Sequence, residues 1–165
     1  MKIGILSDTH NHLENTARAL SIFRQHGVER VIHCGDITTP AVIETFAGWQ
    51  ADFALGNMDR NISDLKAAVR ALGLGSVGHT CTIETNGKRL VACHGDNART
   101  LTEFIHCGLY DYVFHGHTHS RRDETVGRTR VINPGALGGT ARESRSVCIV
   151  DLEAAQAVFV ELETG

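Results

Sequence analysis

Apolar positions along this chain gather in short runs, and most runs stop at a glycine beside a histidine, aspartate or asparagine. Residues 2–6, Lys-Ile-Gly-Ile-Leu, have the length and branching of a buried strand and halt at Ser7-Asp8-Thr9-His10. The period then changes. Leu13, Ala17, Leu20 and Phe23 or Arg24 fall at helical spacing, and Gly27 ends that helix after His26. Val28 to Cys34 is a second strand, stopping at Gly35-Asp36. Thr39 and Pro40 open a helix through about Gly48, with the proline in the first turn where its missing N–H costs nothing. Ala51 to Leu55 is a third strand, stopping at Gly56-Asn57-Met58-Asp59. Ser63 is the expected cap of a helix reaching about Leu72. The glycine-rich stretch 73–78 reads as a plain loop, because it follows a helix and lacks the Lys-Ser/Thr ending of a phosphate cradle.

From Thr80 onward the pattern is richer in hairpins. Residues 82–85 and 88–93 flank Asn86-Gly87, the signature of a type I′ turn, and the second run ends at His94-Gly95-Asp96. A helix near Thr100 to His106 leads to the strand Asp111 to Phe114, which delivers His115-Gly116-His117-Thr118-His119. Arg122–Val126 and Arg130–Asn133 pair around Gly127, and Ser146–Leu152 with Ala157–Leu162 form a last hairpin. Alternating strands and helices followed by hairpins predict an α/β (α+β) chain: two packed sheets with helices outside, one domain over residues 1–165.

Composition narrows the function classes. Hydrophobic content is 42%, charged content 21% and net charge −3, ordinary for a soluble globular chain. No basic stretch favours extended nucleic-acid binding. No apolar run is long enough to span a membrane and no leader precedes the first strand, so the expected location is the cytoplasm. The five cysteines are odd in number and form no C-x-x-C, which argues against a disulfide framework or a zinc finger. Ten histidines are the one anomaly.

Five strand ends carry the candidate chemistry: Asp8-x-His10, Gly35-Asp36, Gly56-Asn57, His94-Gly95 and Gly116-His117-x-His119. Sites in open α/β sheets form at the carboxyl ends of strands. If these ends share one edge, Asp8, His10, Asp36, Asn57, His94, His117 and His119 meet there. On an extended segment His117 and His119, two apart, would point to one place. Two carboxylates, four imidazoles and an amide oxygen suit Mn²⁺, Fe, Zn²⁺ or Ni²⁺. Seven ligands exceed one ion with an open position and suit two, about 3.5–4 Å apart, with a bridging carboxylate. Water between them would ionise near neutral pH, and that bridging hydroxide would attack phosphorus. The two dications outweigh the two aspartates, so the pocket suits a small phosphate ester.

Taken singly, Asp8, Asp36 and Asn57 are ordinary turn residues and His94 a core histidine. The shared strand-end position is what turns them into ligands. His33 and His115 read as structural, His26, His79 and His106 as surface, and His12 as a helix-start residue. Cys34 and Cys93 read as buried fillers, and Arg121 and Arg122 as a solvated face.

In order and spacing these five motifs, with Asn133-Pro134-Gly135, resemble the calcineurin-like metallophosphoesterase family, and most of all its small bacterial and archaeal phosphodiesterases. The resemblance implies a four-layer αββα sandwich with two mixed β-sheets flanked by helices, and a dinuclear site often active with Mn²⁺. It implies that Asp8, His10, Asp36 and His119 hold one ion, and that Asp36, Asn57, His94 and His117 hold the other. Asp36, Asn57 and His94 form the catalytic set. The expected activity is a phosphodiesterase. The alternatives are a phosphomonoesterase or nucleotidase on the same site, or a protein-binding scaffold like the small retromer subunit. Two departures stand out. Met58 occupies a position where many relatives carry a proton-donating histidine, leaving Asp59 or His12 as substitute acids. Asp96 stands where similar enzymes often have histidine. The substrate, the native metal and any homo-oligomer stay open at this level.

Overall fold

The computed structural model describes residues 1–162; the last three positions of the expected 1–165 span lie outside the described residues. The elements run β1 (Lys2–Leu6), α1 (Leu13–Gln25), β2 (Arg30–Cys34), α2 (Pro40–Glu44), β3 (Ala51–Ala54) and α3 (Ile62–Ala71). Then follow β4 (Val77–Gly78), β5 (Thr80–Thr85), β6 (Lys88–Cys93), α4 (Ala98–His106), β7 (Tyr112–Phe114), β8 (Arg122–Val126), β9 (Thr129–Asn133), β10 (Ser146–Asp151) and β11 (Gln156–Glu161). A six-stranded sheet has the order β11-β10-β1-β2-β3-β4, and a five-stranded sheet the order β5-β6-β7-β9-β8. Both are mixed. β1 to β4 are mutually parallel and β10 joins antiparallel. β6, β7 and β9 are parallel, with β5 and β8 antiparallel outside them.

The two-residue period of the strands sorts side chains into three apolar layers. Ile3, Ile5, Ile32 and Cys34 meet Leu90, Ala92, Phe114 and Ile132 between the sheets. Leu6, Val31 and Phe53 face the other way, onto Phe23, Val42, Ile43, Phe46 and Leu65 from the helices and the turns after α2. Val91, Val113 and Val131 meet Ile105 of α4 on the far side of the second sheet. The order is therefore helices, sheet, sheet, helix. At Gly4 a side chain would lie 2.7 Å from the Phe23 ring, so glycine in β1 is what lets α1 seat against the sheet.

Four local expectations need revision. The buried face of α1 is Thr16, Ala19, Leu20 and Phe23, whereas Leu13 and Ala17 are exposed, because Phe23 seats against Gly4 of β1 and residues three and four before it share its face. α2 ends at Glu44 and continues as i→i+3 turns to Trp49, which carries Phe46 into the core. The cap of α3 is Asn61, and Ser63 lies inside the helix. Part of the 73–78 loop, Val77–Gly78, pairs in parallel with β3 as an edge strand. The Asn86-Gly87 turn has φ of 51° and 69°, as type I′ requires. No helix among the described residues is long and apolar enough to cross a membrane.

Candidate metal centre

Parallel pairing puts the carboxyl ends of β1, β2 and β3 on one edge of the first sheet, and those of β6 and β7 on one edge of the second. The two edges are sewn together by their loops. Gly116 N–H donates to His94 O (2.9 Å), His117 N–H to Asp8 Oδ2 (3.0 Å), and His94 Nδ1 to Cys34 O (2.9 Å). Two glycines allow this approach. A Cβ on Gly116 would sit 2.5 Å from Asp8 Oδ2, and one on Gly35 would sit 2.5 Å from His94 Nδ1.

Two knots of donor atoms result. In one, Asp8, His10 and His119 each offer a ligand atom within 4.8 Å of the others; in the second, Asp8, Asp36 and His94 do so. His119 Nε2 is 3.1 Å from Asp8 Oδ1 and 3.4 Å from His10 Nε2. His94 Nε2 is 3.4 Å from Asp36 Oδ2 and 3.3 Å from His117 Nδ1. His10 Nε2 lies 3.6 Å from Asp36 Oδ2 and links the knots. Asn57 is exposed on the turn after β3 and has no hydrogen bond among the described residues. Its neighbour Met58 donates its N–H to Asp36 Oδ1 (2.9 Å), which keeps that turn beside the carboxylate.

His117 and His119 do not share a direction. Both have positive φ, 65° and 56°, on a bend after β7, and not the extended backbone the i, i+2 rule assumes. His117 therefore meets His94 while His119 meets Asp8 and His10. Asp8 (φ 53°), His10 (43°) and Asp36 (57°) are also left-handed. Residues without glycine's freedom hold such conformations only where their surroundings over-determine them, and they cluster at functional sites.

The donor set fits cations. Asp8 is fully buried, and its Oδ1 has no hydrogen-bond partner among the described residues. An uncompensated buried carboxylate oxygen is costly. The imidazoles are oriented from behind: the Cys34 carbonyl accepts from His94 Nδ1, and the Thr140 carbonyl accepts from His119 Nδ1 (2.8 Å). In the neutral ring that leaves each Nε2 with its lone pair toward the carboxylates, the arrangement typical of metal-bound histidine. Burial works against charge on His94, yet Asp36 at hydrogen-bond distance and Asp8 nearby push it up to about 9. The site thus demands positive charge at His94 Nε2, which a dication meets as well as a proton does. Burial also opposes charge on Asp36, but His94 and the Met58 N–H hold its carboxyl below the ordinary value.

Several supporting residues carry no sequence signal of their own. Ser7 Oγ is 2.6 Å from Asp8 Oδ2. Asp59 accepts from the N–H groups of Asp36 (3.1 Å), Thr38 (2.6 Å) and Gly56 (2.7 Å), tying the β2 and β3 loops together. Burial raises its carboxyl despite those donors. Arg145 grips the carbonyls of Gly138 and Gly139 (2.6 Å to the second), and Gly138 N–H donates to Asp8 O (2.7 Å). Asn133, read from sequence as part of a shaping turn, donates to Gly116 O (2.8 Å) and Thr118 Oγ1 (3.0 Å). His12 caps α1, its Nδ1 accepting from Asn15 N–H (3.2 Å). Both substitute acids thus have other employment. Arg121 pairs with Glu143 and Glu161, and Arg122 with Glu124, with Arg122 Nη1 also 3.4 Å from His115 Nε2. Cys34 and Cys93 are buried and point to packing. His33 and His115 are buried, and burial lowers them to about 3 and about 4.

Comparison with known proteins agrees with this geometry. The calcineurin-like phosphoesterase superfamily domain matches residues 1–155. A phosphodiesterase of Methanocaldococcus jannaschii is 36% identical over 99% of this chain and all of the relative. A probable metallophosphoesterase of Mycoplasma pneumoniae is 27% identical over 82% of this chain and 79% of its own. A solved archaeal phosphodiesterase superposes with a TM-score of 0.92 at 35% identity, over 98% of this chain and 100% of the other. The fold alone is shared with Vps29 of Entamoeba histolytica solved with zinc, at a TM-score of 0.71 and 14% identity over 98% and 99%.

Proposed function

The chain belongs to the calcineurin-like phosphoesterase superfamily, and from that premise we propose a two-metal phosphodiesterase acting on small phosphate diesters. The observation that carries the reading is the pair of donor knots joined through Asp8 and Asp36 at the seam between the sheets. Asp8, His10, Asp36 and His119 would hold one divalent ion. Asp36, Asn57, His94 and His117 would hold the other, with Asp36 shared. Mn²⁺ is the first candidate on the strength of the family likeness, with Ni²⁺, Zn²⁺ and Fe also suited to such donors. When bound, such ions supply an activated water at neutral pH and positive charge toward the phosphoryl oxygens.

The chain's own residues do the rest. Asp8 and Asp36 fix the negative charge that gathers the cations, and Asn57 and His94 border the space where a phosphoryl group would sit. The Cys34 and Thr140 carbonyls keep His94 and His119 aimed inward. Met58 is exposed beside Asp36 and carries no proton to give. A leaving alkoxide would find no donor there, so esters with acidic leaving groups are the better substrates. The full-length relative named a phosphodiesterase supports diesters over monoesters. Net charge −3 with no basic stretch supports small substrates over a wrapped nucleic acid, and the cytoplasm remains the proposed location.

The test compares bis(4-nitrophenyl) phosphate with 4-nitrophenyl phosphate on metal-stripped protein resupplied with single divalent ions. Faster diester turnover is expected. Faster monoester turnover would favour the nucleotidase reading, and no turnover with any ion would favour a scaffold.

A further inference from the structure

A cleft of about 200 Å³ opens beside His94, and its lining includes His79, Thr80, His94, Asp96, Asn97 and Thr100. His79 stands between β4 and β5, and Asp96 and Asn97 between β6 and α4, so the cleft straddles the two sheets next to the candidate second ion site. Its chemistry is distinctive. Among the described residues no lysine, arginine, phenylalanine, tyrosine or tryptophan lines it. Neither His79 nor Asp96 is engaged by a hydrogen bond or ion pair among the described residues. The Asn97 side-chain oxygen is spent on Thr100 N–H (3.1 Å), which leaves its amide N–H₂ free to donate. The walls therefore offer an acceptor-only carboxylate, an amide donor, two threonine hydroxyls and an imidazole.

We propose that this cleft binds the alcohol portion of the diester, and that it selects a neutral group carrying hydroxyls, with Asp96 as the specificity-determining residue. The inference rests on the phosphodiesterase reading and deepens it. A carboxylate with no protein partner accepts readily from adjacent hydroxyls. With no lysine or arginine in the cleft wall, the same carboxylate disfavours a second phosphate or a carboxylate at its end of the cleft. A bare aromatic alcohol finds no aromatic wall to stack on and gains no hydrogen bond from Asp96 or Asn97, both of which stand exposed at the cleft.

The experiment uses 4-nitrophenyl diesters sharing one leaving group and differing in the second alcohol: ethanol, glycerol and the 5′-hydroxyl of a nucleoside. A fixed leaving group removes the question of the proton donor. The full chain with Mn²⁺ should show kcat/KM for the glyceryl or nucleosidyl ester about tenfold above the ethyl ester, the worth of one charge-assisted hydrogen bond. Which of the two leads tells glycerol from ribose as the source of the hydroxyls. Asp96→Asn and Asp96→Ala should bring that ratio to within about twofold of one, through KM. Equal rates on all three esters in the unaltered chain would overturn the inference while leaving the phosphodiesterase reading intact, and so would a ratio unmoved by both variants. Failure to hydrolyse any of them with any divalent ion would sink both.

Discussion

His119 Nε2 stands 3.1 Å from Asp8 Oδ1, a buried carboxylate oxygen with no hydrogen-bond partner among the described residues. The lone pair of the imidazole and that of the carboxylate face each other only if something positive lies between or beside them. Asp8→Asn replaces a charged ligand by a neutral amide of the same shape. The expected outcome is loss of more than about 100-fold in diester turnover, beyond the about 10–100-fold that altering a supporting partner costs. The metal-free fold should keep its melting temperature, because a buried negative charge has been removed. The upward shift of Tm on adding Mn²⁺ should disappear, since that shift measures binding to the folded state. Thermal melts of both proteins with and without the ion check this.

Asp59 serves the site through backbone. Its carboxylate collects three N–H groups from the β2 and β3 loops, including that of Asp36. Asp59→Asn turns one accepting oxygen into a donor facing donors. Stability should fall by about 1–3 kcal/mol, the cost of leaving buried N–H groups unsatisfied. The alkaline limb of the rate-against-pH profile should keep its position. A shift of that limb with unchanged stability would instead make Asp59 the proton donor.

His33 is fully buried between Thr9 Oγ1 (3.0 Å) and the Gly35 N–H (3.1 Å), and burial lowers it to about 3. The unfolded chain therefore binds a proton below about 6.5 that the folded chain refuses. Its contribution is fully present above that pH and is lost as pH falls toward 3. At pH 5 the loss is about 2 kcal/mol. Urea titrations across pH 5 to 7 should show this slope, and His33→Gln should flatten it. An unchanged slope in the variant would reassign the acid sensitivity to other groups.

Much of the fold was legible because local signals agreed with one another. Asn86-Gly87 between alternating runs dictates its hairpin, and the strand ends in glycine and a ligand type dictate where the chain turns. The joining of the donor knots was less legible. It depends on the sheets meeting at one edge, which is long-range packing. The divergence of His117 and His119 was hidden because positive φ at a histidine has no composition signal. Ser7, Arg145 and the loop-tying role of Asp59, which the sequence offered only as a substitute acid, were silent for a related reason. Each acts on a neighbouring loop's backbone, and backbone partners leave no pattern in a sequence. The short α2 shows the same priority: Phe46 enters the core, and that tertiary demand overrides a helical run.

The central claim is a pair of cations held at the seam by two connected sets of donors. Its most direct test is elemental analysis of the purified chain, reconstituted with Mn²⁺ and freed of excess ion, alongside turnover of bis(4-nitrophenyl) phosphate. The account predicts about two ions per chain, about one in His117→Ala, and activity that chelation abolishes and added metal restores. Full turnover in chelated, metal-free protein would contradict it.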